Sequence, residues 1–180
     1  MKRLAFVGIA AIVLSSAAFS FAPVRDVAGA PARASTNCRN YQLLIRPQSS
    51  QGAAGHGAVI FRIHNLAGRS CTLIGYPGIQ LLNRQFLSLP TTVHRGAGDL
   101  VGAIPKTLVT VPGNGNAYFA LGYSDVTVNN QPCPTDYYLM VFAPNDYLPV
   151  VTFPFPRGGS IMACSGTVYV SPVTSTPRYS

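Results

Sequence analysis

The sequence predicts an all-β chain, an antiparallel β-sandwich of immunoglobulin-like architecture with seven to nine short strands and two disulfides. Three observations predict it. Side chains alternate with a period of two, as where Val59, Phe61 and Ile63 interleave with Ile60, Arg62 and His64, the pattern of a half-buried strand. Pro and Gly break the chain at intervals of roughly ten residues, and no amphipathic helical stripe follows the N-terminal leader. Four cysteines, Cys38, Cys71, Cys133 and Cys164, make an even set. Trp is absent, so kinship to antibody domains is one of architecture alone.

Each element has its own local reason. Residues 41–46 read as a first strand, ended by Pro47 and a polar, Gly-containing loop through Gly57. Residues 58–64 alternate most cleanly, and Asn65 ends them. Residues 71–74 and 79–82 are apolar runs on either side of Gly75-Tyr76-Pro77-Gly78, so they read as one strand bent in two. Residues 86–93 form a further strand interrupted by Pro90, and residues 94–105 a Gly-rich surface loop. Residues 107–111 and 117–123 flank Pro112-Gly113-Asn114-Gly115-Asn116, which predicts a hairpin. Residues 137–142, 150–155 and 167–170 complete the set, separated by Pro144-Asn145-Asp146 and Arg157-Gly158-Gly159.

The chain opens Met1-Lys2-Arg3 and then runs uncharged from Leu4 to Ala22, the positive and apolar regions of a secretory signal. Residues 1–20 are expected to be a signal peptide, cut after Ser20 or, with the spacer, after Ala34. The competing reading is an uncleaved anchor, since the apolar run approaches the ~20 residues that span a bilayer. It is the one route to a membrane. Cys38 stands too far downstream of the apolar run for a lipoprotein. Residues 21–36 read as a flexible spacer, 37–172 as a single β-sandwich domain and 173–180 as a disordered tail.

The formal charge is +8, with five acidic residues, all of them Asp. Arg39, Arg46, Arg62, Arg69, Arg84, Arg95, Lys106, Arg157 and Arg178 are scattered singly, without the clustered, aromatic-interleaved pattern of a nucleic-acid surface. An envelope protein or an anionic envelope polymer suits such a charge better than nucleic acid, and solubility alone is the plainer reading. In an exported chain the four cysteines are expected to form disulfides, and no CxxC occurs. Three pairings are open. Folding order favours Cys38 with Cys71 and Cys133 with Cys164, because Cys71 follows Cys38 out of the cell before Cys133 is exported.

The landmarks then fall in a specific order: Cys38 before Leu43-Leu44, Gly55-His56, Phe61-Arg62-Ile63-His64-Asn65, Cys71-Thr72-Leu73-Ile74-Gly75-Tyr76-Pro77-Gly78-Ile79, Val111-Pro112-Gly113, Cys133, and Cys164-Ser165-Gly166. This order resembles the bacterial family called domain of unknown function 4232, found in exported proteins of high-GC Gram-positive bacteria. The resemblance runs over about residues 37–172 and implies the fold, export and paired cysteines. It carries over no catalytic residue.

Chemistry is sparse. His56, His64 and His94 are the residues whose ordinary pKa lies near neutrality, and Asp99 or Asp125 is available as an acid partner for a Ser-His-Asp arrangement. No Gly-x-Ser-x-Gly elbow is present. Two carboxylates flanking a cleft, as a glycosidase requires, are hard to assemble from five Asp. No metal or cofactor is expected. Tyr76 and Pro77, with His56, offer a recognition surface, while packing is the plainer role for Tyr76. The expected function is that of an exported, non-enzymatic binding or interaction module of the bacterial cell envelope. The rivals are an exported hydrolase with a loop-built His/Asp site and a carrier that holds an apolar ligand between its sheets.

Overall fold

The computed structural model describes residues 36–127, 129–130 and 133–180. The expected signal peptide and nearly all of the expected spacer lie outside these residues. Twelve strands follow in order: β1 (Leu43–Ala53), β2 (His56–Asn65), β3 (Cys71–Leu73), β4 (Gly78–Leu82), β5 (Thr92–Arg95), β6 (Val109–Val111), β7 (Asn116–Ser124), β8 (Thr135–Asp136), β9 (Tyr138–Phe142), β10 (Pro149–Thr152), β11 (Ile161–Met162) and β12 (Thr167–Val170). Among the described residues, helix is confined to 3-10 turns at Asn40–Gln42 and Cys164–Gly166. The count exceeds the seven to nine expected because several strands are two or three residues long, too short to show a period in sequence.

One layer is a five-stranded sheet in the order β1-β2-β7-β12-β5, and the other holds β10-β9-β4, with β3 paired to β6 and β11 to β8. Every pairing is antiparallel except β12 with β5, which is parallel. Between the layers lies one core: Val59, Phe61, Ile63, Phe119, Leu121 and Val168 from the first layer meet Leu73, Leu81, Val109, Val111, Leu139 and Val141 from the second. At its centre Phe61 and Phe119 stack with centroids 5.0 Å apart, placed opposite each other by the β2–β7 register. The burial of such side chains is worth about 1.5–3 kcal/mol each. The disulfides join Cys38 to Cys71 and Cys133 to Cys164, the pairing that folding order favours.

Three local expectations give way. The loop expected after Pro47 is strand: β1 continues through Pro47 with a register shift between Pro47 and Ser49, and pairs with β2 as far as Ala53 opposite His56. Pro47 is tolerated because β1 is an edge strand and the ladder shifts there. The turn that follows is Ala54-Gly55, both at positive φ, the conformation two-residue hairpins use. The hairpin expected around Pro112–Asn116 is instead a crossing between layers. Its arms do not pair: β6 joins β3, and β7 joins β2 and β12. Asn65 holds the crossing, its amide donating to the carbonyls of Arg69 and Pro112 at 2.9 and 3.0 Å while its oxygen accepts from the Ala67 N–H. The strand expected over residues 86–93 begins only at Thr92; before it the chain turns on Asn83, whose side-chain oxygen accepts from the N–H groups of Gln85 and Leu87.

The bent strand is genuine and changes partners at the bend, β3 lying against β6 and β4 against β9. Residues 173–180, expected as a disordered tail, lie on the domain. Val173 and Thr174 are buried, Thr174 and Tyr118 exchange backbone hydrogen bonds, and Tyr179 packs on a second small cluster of Ile60, Val101 and Ala120. Two buried residues make too short a run to register as a strand in sequence.

Candidate functional site

The change of partners between β3 and β4 carries the chain across one edge of the sandwich on Ile74–Pro77. Gly75 has φ of 105°, a left-handed angle that favours glycine, and its carbonyl accepts from the Val173 N–H. Tyr76 packs half-buried on the main core, and Pro77 is buried. On either side of this segment the surface opens. A cavity of about 690 Å³ is lined by Pro77, Gln80, Ser88, Arg95, Met140 and Phe142, among others. A second, of about 330 Å³, is lined by Tyr76, Arg95, Lys106 and Asn145 with their neighbours. Arg95 belongs to both.

Neither lining includes a carboxylate, and among the described residues Arg95 and Lys106 form no ion pair. Asp146, which follows the lining residue Asn145 in the chain, is held by backbone. Its carboxylate accepts from the backbone N–H groups of Asn40, Tyr147 and Leu148. Burial raises its pKa, but these three bonds and the Arg39 charge outweigh that and lower it overall. The charged side chains that line the cavities are therefore both cations, Arg95 in each and Lys106 in the second.

His56 is elsewhere. It lines a cavity of about 370 Å³ with Asp99, Ser124, Ser165 and Tyr169, which shares no residue with the two just described. The expected recognition set is thus split, Tyr76 and Pro77 on one side and His56 on another. His56 Nδ1 lies 2.8 Å from Asp99 Oδ1, so of the two acids open to it in sequence the fold brings Asp99. Ser124 is engaged in its own turn, donating to the Gly55 carbonyl and accepting from the Val126 N–H. Ser165 is exposed and sits at φ 58°. The other histidines do not join the pair: His64, at the opposite end of β2, is bonded to Asn116, and the His94 ring stacks on Tyr169. Among the described residues no group of three or more His, Cys, Asp or Glu is gathered to hold a metal ion.

One further carboxyl is unusual. Asp136, on β8 near the Cys133–Cys164 bridge, is wholly buried. Its Oδ2 accepts from the Ala163 N–H, while its Oδ1 has no partner among the described residues. Burial pushes its pKa up to about 7, against the lowering effect of the single backbone bond, because a charge without partners is disfavoured in a dry site.

In the sequence Arg95 and Lys106 are two among scattered cations; no local signal joins them, since they meet only around Tyr76. The fold and the clefts define a class, that of a disulfide-stapled β-sandwich with a basic edge groove. Within that class the chain belongs to the family described as Domain of unknown function (DUF4232), whose model matches residues 38–174. No curated protein and no solved structure matches the chain. Two disulfides are the chemistry of an oxidising, extracytoplasmic setting, and among the described residues no helix is long and apolar enough to cross a membrane.

Proposed function

We propose that the protein is an exported, non-enzymatic binding module of the bacterial cell envelope whose ligand is an anionic envelope polymer. The observation that carries this reading is the pair of cavities flanking Tyr76–Pro77, joined by Arg95, extended by Lys106 and lined by no carboxylate. A repeating polyanion places one charge after another along such an edge, and Arg gives planar, bidentate contacts to carboxylate or phosphate. Export rests on the positive, then apolar, N-terminal run and on the oxidised cysteines. The test is binding of the secreted protein to purified anionic cell-wall polymer at rising salt. Arg95→Ala with Lys106→Ala is expected to weaken binding strongly, and wild-type binding is expected to fall steeply with ionic strength. Binding that survives both substitutions rejects the reading.

A second reading has its own observation, the His56–Asp99 pair at 2.8 Å in a cavity with the exposed Ser165. An acyl-transfer hydrolase uses His held by a carboxylate to take the proton of a nucleophilic hydroxyl. A fluorophosphonate probe decides between the two: a label on Ser165 that disappears with His56→Asn makes the hydrolase the leading reading, whereas an unlabelled, folded protein removes it.

A further inference from the structure

We infer, on the reading that the ligand is an anionic polymer, that this polymer is a glycan, and that its sugar rings lie on the outer face of β4, β9 and β10. On β9 Leu139 and Val141 enter the core, so Tyr138, Met140 and Phe142 face outward. The register sets Val151 of β10 on one side of Met140 and Gln80 of β4 on the other. Three rings form a row on this face. Phe86 stacks on Tyr138 with centroids 4.2 Å apart, and Phe153 meets Tyr138 at 5.4 Å. Phe86 nevertheless remains 57% exposed and Phe153 43%, so Tyr138 covers one face of Phe86 and leaves the other open.

The presentation of Phe86 is specific. It sits at φ 61°, an angle that disfavours a bulky L-residue, in the turn pinned by Asn83. This strained turn holds the Phe86 ring with one face stacked on Tyr138 and the rest in solvent, where a ligand can reach it. The same face runs into the larger cavity through Met140 and Phe142, with Ser88 beside them and Arg95 beyond. Rings, a hydroxyl and a cation therefore follow one another across a single surface.

The charges select the occupant. Of the acids among the described residues, Asp99 pairs with His56, Asp136 is buried, Asp146 is bonded to backbone, and Asp125 lies just past the end of β7. None lines the ring face or its cavity. A sugar ring offers a flat C–H face to an aromatic ring and hydroxyls to polar neighbours, and an acidic glycan adds the anion that Arg95 and Lys106 require. An acidic protein satisfies the cations equally, but protein anchors favour closed, water-free pockets over an open, solvent-facing row of rings.

Polygalacturonate, an acidic glycan, poly-L-glutamate, a polyanion without sugar, and dextran, a sugar without charge, separate these requirements when titrated onto the secreted protein. Circular dichroism first establishes that each variant is folded. Phe86→Ala with Phe153→Ala is expected to weaken polygalacturonate binding about tenfold or more and poly-L-glutamate binding less than about twofold. Arg95→Ala with Lys106→Ala weakens both. If the ring variants bind polygalacturonate as the wild type does while the cation variants lose it, the glycan inference is overturned and the polyanion reading stands. Poly-L-glutamate binding that depends on the rings assigns the face to an acidic protein instead. Dextran bound as tightly as polygalacturonate removes the anion requirement, and no binding of either polyanion by the wild type rejects both readings.

Discussion

On the outer face of the five-stranded sheet, Ile60 and Ala120 lie under Val101 and Tyr179, parts of the chain's own loop and C-terminus. On the outer face of β4, β9 and β10, Phe86, Val151 and Phe153 stay in solvent. The chain buries apolar residues of the first face under its own loop and C-terminus and leaves those of the second largely exposed. The cover is closely fitted. Gly122 of β7 admits the backbone of Gly98 and Asp99 so near that a Cβ there would run into their carbonyl oxygens. The same cover brings Asp99 to His56. Burial on one side and exposure on the other therefore separate residues that hold the fold from residues available to a ligand.

Removing the cover is expected to have the largest effect. Deleting residues 173–180 takes away the buried Val173, the two backbone bonds between Thr174 and Tyr118, and the Tyr179 contact with Ile60. Denaturant unfolding is expected to show a loss of about 5 kcal/mol. An unchanged midpoint would mean that the covered face does not need its cover. Next comes Ile60→Ala: at 3% exposure this truncation is expected to cost about 3 kcal/mol, read from the same unfolding curves.

Asp136 tests whether burial by itself is the stabilising feature. Its carboxyl keeps its proton to about pH 7 when folded, against an ordinary value of 3.8. Between those values the folded state binds more protons than the unfolded one, so stability falls as pH rises through this window. Asp136→Asn is expected to flatten that slope, with a gain of about 2 kcal/mol at pH 8 and little change at pH 4, since the amide still leaves a buried polar atom. Thermal unfolding across pH 4–8 measures it, and a slope retained in the variant assigns the effect to another group. The smallest effect belongs to the bare face. Phe86→Ala and Phe153→Ala are each expected to change stability by less than about 1 kcal/mol, and a loss as large as that of Ile60→Ala would remove the distinction between the faces.

Within the sequence, residues 58–64 and 167–170 were legible as strands because alternation is a property of neighbouring residues. The bend at Gly75–Gly78 was legible too, since Pro and Gly act on the backbone locally. Cys38 and Cys71 were matched because Cys71 follows Cys38 out of the cell before Cys133 is exported. The partners of β6 and β7 were not legible. Val109, Val111, Phe119 and Leu121 are equally apolar whether their strands pair with each other or with β3 and β2, and only the filling of the space around Phe61 and Phe119 selects between these arrangements. The sites follow the same division. Tyr76 and Pro77 stand out as a local break, whereas Arg95 joins Lys106, Asp99 reaches His56, and Phe86 finds Tyr138 only in the tertiary structure. Local backbone preference acts over a few residues and can be read along the chain, but the meeting of distant side chains is set by which arrangement of strands fills one core without voids.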